Sequence, residues 1–98
     1  MRRGTTPTNT FTVDTDLTNA VAVFVTYSQG KSVIVEKSID NLTITSTKVE
    51  VTLTQEDTLA FSSGSAQIQI RAKFGDGAAI ASNIIVASVD QILKDGVI

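Results

Sequence analysis

The sequence predicts an all-β fold: an immunoglobulin-like β-sandwich of about seven antiparallel strands with one short helical turn, with a small barrel as the runner-up. Three observations carry that expectation. The chain contains 14 Thr, 11 Val and 10 Ile, so 35 of its 98 residues are β-branched. Such side chains are stiff at χ1 and pack well on a pleated surface. Its single proline, Pro7, lies near the start, so nothing later removes a ladder donor. Turn signals also recur about every ten residues, the spacing expected of short strands in a sandwich.

Each element follows from local pattern. Thr8–Val13 alternates, with Phe11 and Val13 on one side and Thr10 and Thr12 on the other. Asp14-Thr15-Asp16 ends that strand. Ala20–Tyr27 is the second strand, with Val21, Val23, Val25 and Tyr27 on one face and Ala22, Phe24 and Thr26 on the other. Two partly apolar faces suggest a central strand, or one covered by another subunit. Gly30 supplies positive φ cheaply to the next turn, and Ser32–Lys37 returns as the hairpin partner. Asp40-Asn41 turns the chain into Leu42–Thr45, which points Leu42 and Ile44 inward. Ser46-Thr47-Lys48 turns it again into the alternating run Val49, Val51, Leu53.

Thr54 can cap the amides of a helical turn over Gln55–Leu59, with Asp57 near the positive end of the dipole. Phe61 anchors the return and Ser62–Ser65 is a loop. Gln67–Phe74 places Ile68, Ile70, Ala72 and Phe74 inward and Gln67, Gln69, Arg71 and Lys73 outward. Gly75-Asp76-Gly77 is a hairpin turn, and Ala79–Val89 is the last long strand. Gln91–Ile98 reads equally as a short helix or an extended arm.

At this length the chain is one domain, residues 1–98, with about 5,400 Å² expected at its surface. It has no His and no Cys, which excludes Ser–His–Asp and Cys–His triads, the usual zinc ligands and a disulfide scaffold. No cofactor is expected. Net charge is −2, and the five Lys and three Arg are scattered, which argues against nucleic acid as a partner. The uncharged run Ala78–Val89 contains Ser82, Asn83 and Ser88, and is too short and polar to span a bilayer, so no membrane partner is expected. Met1–Gly4 is basic but leads into a Thr-rich stretch instead of an apolar core, so no secretory signal is read.

Four constellations invite a chemical reading. Asp14-Thr15-Asp16 with Asn19 resembles half a calcium loop, but the closing Glu and the Gly are missing, and an Asp-initiated turn fits better. Glu56-Asp57 is a carboxylate pair, yet adjacent positions on a helical turn point apart, unlike a glycosidase pair across a cleft. Gly75-Asp76-Gly77 is too short for a phosphate loop and is followed by a strand. Asn41-Leu42-Thr43 fits a glycosylation sequon and reads as a turn entering a strand. Among the aromatics, Phe11, Phe61 and Phe74 belong to the core and Phe24 to either core or partner. Tyr27, beside the Gly30 turn, is the one candidate for an outward, sugar-binding platform.

Three stretches carry a family resemblance: Arg2-Arg3-Gly4-Thr5-Thr6-Pro7 through Thr12, Leu53-Thr54-Gln55-Glu56-Asp57-Thr58-Leu59-Ala60-Phe61, and Leu93-Lys94-Asp95-Gly96-Val97-Ile98. In order and spacing they resemble a family of small structural proteins of tailed phages and prophages of Gram-positive hosts. The start is also similar to the N-terminal immunoglobulin-like module of phage baseplate upper proteins. The resemblance implies a non-enzymatic virion structural protein, a tail or baseplate assembly module, put together in the host cytoplasm with other phage structural proteins. It brings no catalytic motif. From the residues themselves, the two-faced strand and the apolar end of the chain favour a homo-oligomer, with Val21, Val23, Phe24, Tyr27, Val97 and Ile98 as the expected interface. The alternative is a domain that binds a host-surface glycan or protein.

Overall fold

A computed structural model describes every residue from Met1 to Ile98. Eight strands form: β1 (Thr8–Thr12), β2 (Ala20–Gln29), β3 (Ser32–Ser38), β4 (Leu42–Thr45), β5 (Lys48–Thr52), β6 (Gly64–Phe74), β7 (Ala79–Ala81) and β8 (Ile85–Val89). One helical turn, α1, covers Gln55–Leu59, and a 3-10 turn covers Ile39–Asn41. All strand pairings are antiparallel. The smaller sheet has the order β1-β5-β4. The larger runs β3-β2-β6-β7, with β8 also on β6.

The inner faces of both sheets contribute to one apolar core. Val23, Val25 and Tyr27 of β2 and Ile68, Ile70 and Ala72 of β6 join Val49 and Val51 of β5 in it, with Leu53 and Phe61. Thr58 is the one fully buried polar side chain. Its hydroxyl donates to the Thr5 carbonyl at 2.8 Å, so it is satisfied in place. The molecule measures 47 × 25 × 17 Å. That elongation explains an exposed area of 5944 Å², above the size-based expectation.

Three bulges separate the observed fold from strict alternation. Opposite β6, Ala20 pairs with Phe74 and Ala22 with Lys73, so Val21 is the extra residue. The bulge turns Val21 out to 60% exposure, although alternation puts it on the core face. Between β2 and β3, Tyr27 pairs with Val35 and Ser28 with Val33, which leaves Ile34 as the extra residue.

The third bulge divides the expected strand Ala79–Val89. Arg71 faces Ala81 and Ile68 faces Ile85, so two residues of β6 oppose three residues of the other chain segment. Ser82 holds the break. Its amide donates to the Ile70 carbonyl at 2.8 Å, and its hydroxyl accepts from the Ile70 amide at 2.9 Å. The hydroxyl thus stands in for a ladder carbonyl. The one-residue slip moves the inward parity from Ile80 to Ile85, Ala87 and Val89.

Other sequence expectations hold with small shifts. β6 begins at Gly64, inside the stretch expected to be loop. The Thr54 cap is a full capping box: Asp57 N donates to Thr54 Oγ1 at 3.1 Å, and Thr54 N donates to Asp57 Oδ2 at 2.9 Å. The tail Gln91–Ile98 forms neither helix nor strand. No helix is long and apolar enough to cross a membrane.

Candidate functional site

The outer face of the larger sheet is the candidate site. β2 and β6 run side by side through its centre. Their outward residues pair as Ala22 with Lys73, Phe24 with Arg71, Thr26 with Gln69 and Ser28 with Gln67. Glu36 of β3 sits across from Thr26, whose hydroxyl donates to Glu36 Oε2 at 3.0 Å. Phe24 is 40% exposed in this setting. A shallow depression of about 360 Å³ lies between Phe24, Glu36, Arg71 and Lys73. A second, of about 280 Å³, continues past Gln67 and Gln69 to Ile84. The face therefore offers an aromatic ring, a guanidinium, an ammonium, one carboxylate and two amides. That set suits contact with a mixed polar and apolar partner surface.

The expected interface residues do not form one patch. Val23 and Tyr27 are fully buried in the core. Phe24 lies mid-face on the outer side. Val21 is exposed at the end of β2 beside Gly75. Val97 and Ile98 are exposed, with Ile98 next to Gln55: its amide donates to Gln55 Oε1 at 2.9 Å. β6 runs from the α1 end of the molecule to Gly75, and its 11 residues span about 33 Å at about 3.3 Å each. Val21 and the tail are thus at opposite ends.

Tyr27 corrects the sugar-platform expectation. Its ring packs edge-on against Phe61, with centroids 5.9 Å apart and planes at 74°. Its hydroxyl accepts a 2.8 Å bond from Asn9 Nδ2 of β1, which ties the two sheets together. Burial, the larger influence, and the nearby Asp57 charge raise the phenol above its usual pKa, although the Asn9 bond acts against them.

The candidate carboxylates are committed to structure. Partial burial pushes the Asp57 carboxyl up. The bond from Lys37, the Thr54 amide and hydroxyl, and the Lys37 charge outweigh it and hold the group below its ordinary value. Lys37 Nζ lies 2.8 Å from Asp57 Oδ2, joining β3 to α1. Glu56 is exposed. Asp16 Oδ1 accepts from the amide and hydroxyl of Thr18, in the Asx turn read from the sequence. Asp76 Oδ1 likewise accepts from the Ala78 amide within the hairpin. Asn41 ends the 3-10 turn and Leu42 starts β4.

The three stretches of the resemblance meet at one end of the molecule. Arg3 Nε donates to the Phe61 carbonyl at 2.6 Å and Arg3 Nη2 to the Leu59 carbonyl at 2.9 Å. These carbonyls lie at the C-terminal end of α1, where a cation is favoured. The same guanidinium lies 3.6 Å from Asp95 in the tail. Gly4 has φ +73, and a Cβ there would come within 2.8 Å of Ile92 Cδ1. The positive φ is what favours glycine here, since the Ile92 methyl is the far end of a side chain that can move aside. Sequence reasoning missed these partners. Contacts between residues so far apart in the chain leave no periodic signal.

Comparison with known proteins found no matching family model, no similar curated protein and no similar solved structure.

Proposed function

We propose that this chain is a non-enzymatic virion structural protein of a tailed phage or prophage. In this reading it is an immunoglobulin-like sandwich acting as an assembly module of the tail or baseplate. Its partners are other virion proteins and copies of itself, with neither nucleic acid nor membrane involved. The virion reading rests on the resemblance of the three stretches, and the observation that supports an assembly role is the outer face of β2 and β6, where Phe24 stands open between Arg71 and Glu36. An aromatic ring beside a guanidinium on an open sheet face is the kind of side-chain set enriched where proteins meet. The joining of Arg2–Thr5, α1 and the tail at one end supports treating the three stretches as one structural signature. The host-surface alternative loses its aromatic platform with the burial of Tyr27.

The test is incorporation. A tagged copy expressed in a lysogen should co-purify with particles through density-gradient centrifugation. Immunogold electron microscopy should place it on the tail. Recovery only from the soluble lysate, with particles devoid of the tag, would contradict the proposal.

A further inference from the structure

We infer that Asp95-Gly96, in the tail, is a site of spontaneous aspartate isomerisation, and that the fold protects the same pair at Asp76-Gly77.

The chain contains two Asp-Gly pairs and no Asn-Gly pair. Glycine has no Cβ, so its amide nitrogen approaches the preceding side chain unhindered. In the reaction, that nitrogen attacks Cγ of the Asp carboxyl. A C–N bond forms, and the amide hydrogen and the carboxyl hydroxyl leave together as water. The product is a five-membered succinimide. Water then adds at one of its two carbonyls and breaks the C–N bond there. Opening at the main-chain carbonyl leaves isoaspartate, whose chain runs through Cβ and Cγ. One water leaves and one returns, so the step needs no oxidant or other co-reactant.

Backbone angle does not separate the two pairs: φ is +90 at Gly77 and +89 at Gly96. The bonding of the reacting groups does. In the hairpin between β6 and β7, Gly77 N donates to the Phe74 carbonyl at 3.0 Å, and Asp76 Oδ1 accepts from the Ala78 amide at 2.9 Å. Phe74 N closes the same turn by donating to the Ala78 carbonyl at 2.9 Å. Nucleophile and electrophile are each held, so the turn must open before the ring can close. In the tail, Gly96 N donates to no protein acceptor. The Asp95 side chain is 80% exposed, and its one ionic partner is Arg3 Nη2 at 3.6 Å. An exposed pair of that length holds a carboxylate weakly. Gln91–Ile98 lies outside helix and strand, so Asp95 and Gly96 can turn toward each other without breaking a ladder.

The tail is anchored on both sides of this bond. Asp95 meets Arg3, and Ile98 N donates to Gln55 Oε1 at 2.9 Å at the start of α1. Isoaspartate adds a methylene to the main chain between Asp95 Cα and Gly96, and it shifts the free carboxylate onto the former backbone carbonyl carbon. The two anchors then lose their common register, and the tail loosens from α1.

The full chain, aged for weeks in neutral buffer, tests this by peptide mapping with electron-transfer mass spectrometry, which tells isoaspartate from aspartate. Isoaspartate should form at Asp95 at least about tenfold faster than at Asp76. In urea the two rates should converge. Equal rates in the folded chain, or no isoaspartate at Asp95, would overturn the inference. So would a difference undiminished in urea, which would assign it to the flanking residues and not to the fold. The isomerised fraction, separated by ion exchange, should exchange its Ile98 amide hydrogen faster than fresh protein, and an unchanged rate would overturn the loosening of the tail. None of these outcomes bears on particle incorporation, which is read separately.

Discussion

The two sheets use the same kind of side chain on opposite principles. On the outer face of the smaller sheet the ladder is threonine: Thr8 pairs with Thr52, and Thr10 and Thr43 flank Glu50. Thr12 and Thr45 flank Lys48 in the same way. On the outer face of the larger sheet an aromatic ring, amides and charges replace them. Thr and Val have nearly the same shape and the same preference for strands. Threonine therefore keeps the smaller sheet in register while giving a partner nothing apolar to bury. The larger sheet gives up that neutrality at Phe24. Its mixture of an aromatic ring, a guanidinium and amides is the composition favoured where two protein surfaces meet.

The comparison breaks most severely from beneath the larger sheet. Tyr27→Ala removes a buried ring, opens a cavity against Phe61 and leaves Asn9 unpaired. Chemical denaturation should show a loss of about 3–5 kcal/mol. Val51→Thr, at 1% exposure, tests the inner side of the smaller sheet. A hydroxyl buried there without a partner should cost about 1–3 kcal/mol. A loss below that range would mean the layer is looser than its burial indicates.

Asp57→Asn sharpens the joint between the layers, because Asp57 links α1 to Lys37 of β3. The expected cost is about 1 kcal/mol at pH 7. The sign of its pH dependence is fixed. The folded-state value lies below the ordinary 3.8, so the carboxylate's stabilisation is complete above that value. It is lost as pH falls through the lower folded value. Urea melts of wild type and variant should therefore converge below about pH 4. A gap that persists undiminished in acid would assign the effect to packing. The smallest effect is expected on the outer face of the smaller sheet, where Thr10→Val should change stability by less than about 0.5 kcal/mol.

Much of the architecture was legible because it is local. Gln67–Phe74 alternates cleanly, Thr54 caps α1, and Gly30 and Gly77 take the positive φ their turns need. What escaped is what a period of two cannot encode. A bulge at Val21 turned an expected core residue outward, and Ser82 broke one long strand into β7 and β8. Periodicity puts Tyr27 in the core and its nearness to a turn puts it at the surface; its ring is buried against Phe61 in the core. Of the expected interface, Phe24 alone lies on the candidate face. Arg3 reads as a plain terminal charge until the fold brings it to the end of α1.

The most direct test of the account compares one lysine on each outer face. Phe24→Lys and Thr10→Lys both replace outer-face residues; Thr10→Lys, opposite Glu50, should melt like the wild type, whereas Phe24→Lys, opposite Arg71, should lose about 1 kcal/mol and stay folded at the assay temperature. In a lysogen, particle incorporation of Phe24→Lys should fall by about tenfold or more, while Thr10→Lys is incorporated normally. Equal incorporation of the two variants would contradict the claim that the outer face of β2 and β6 is the contact surface.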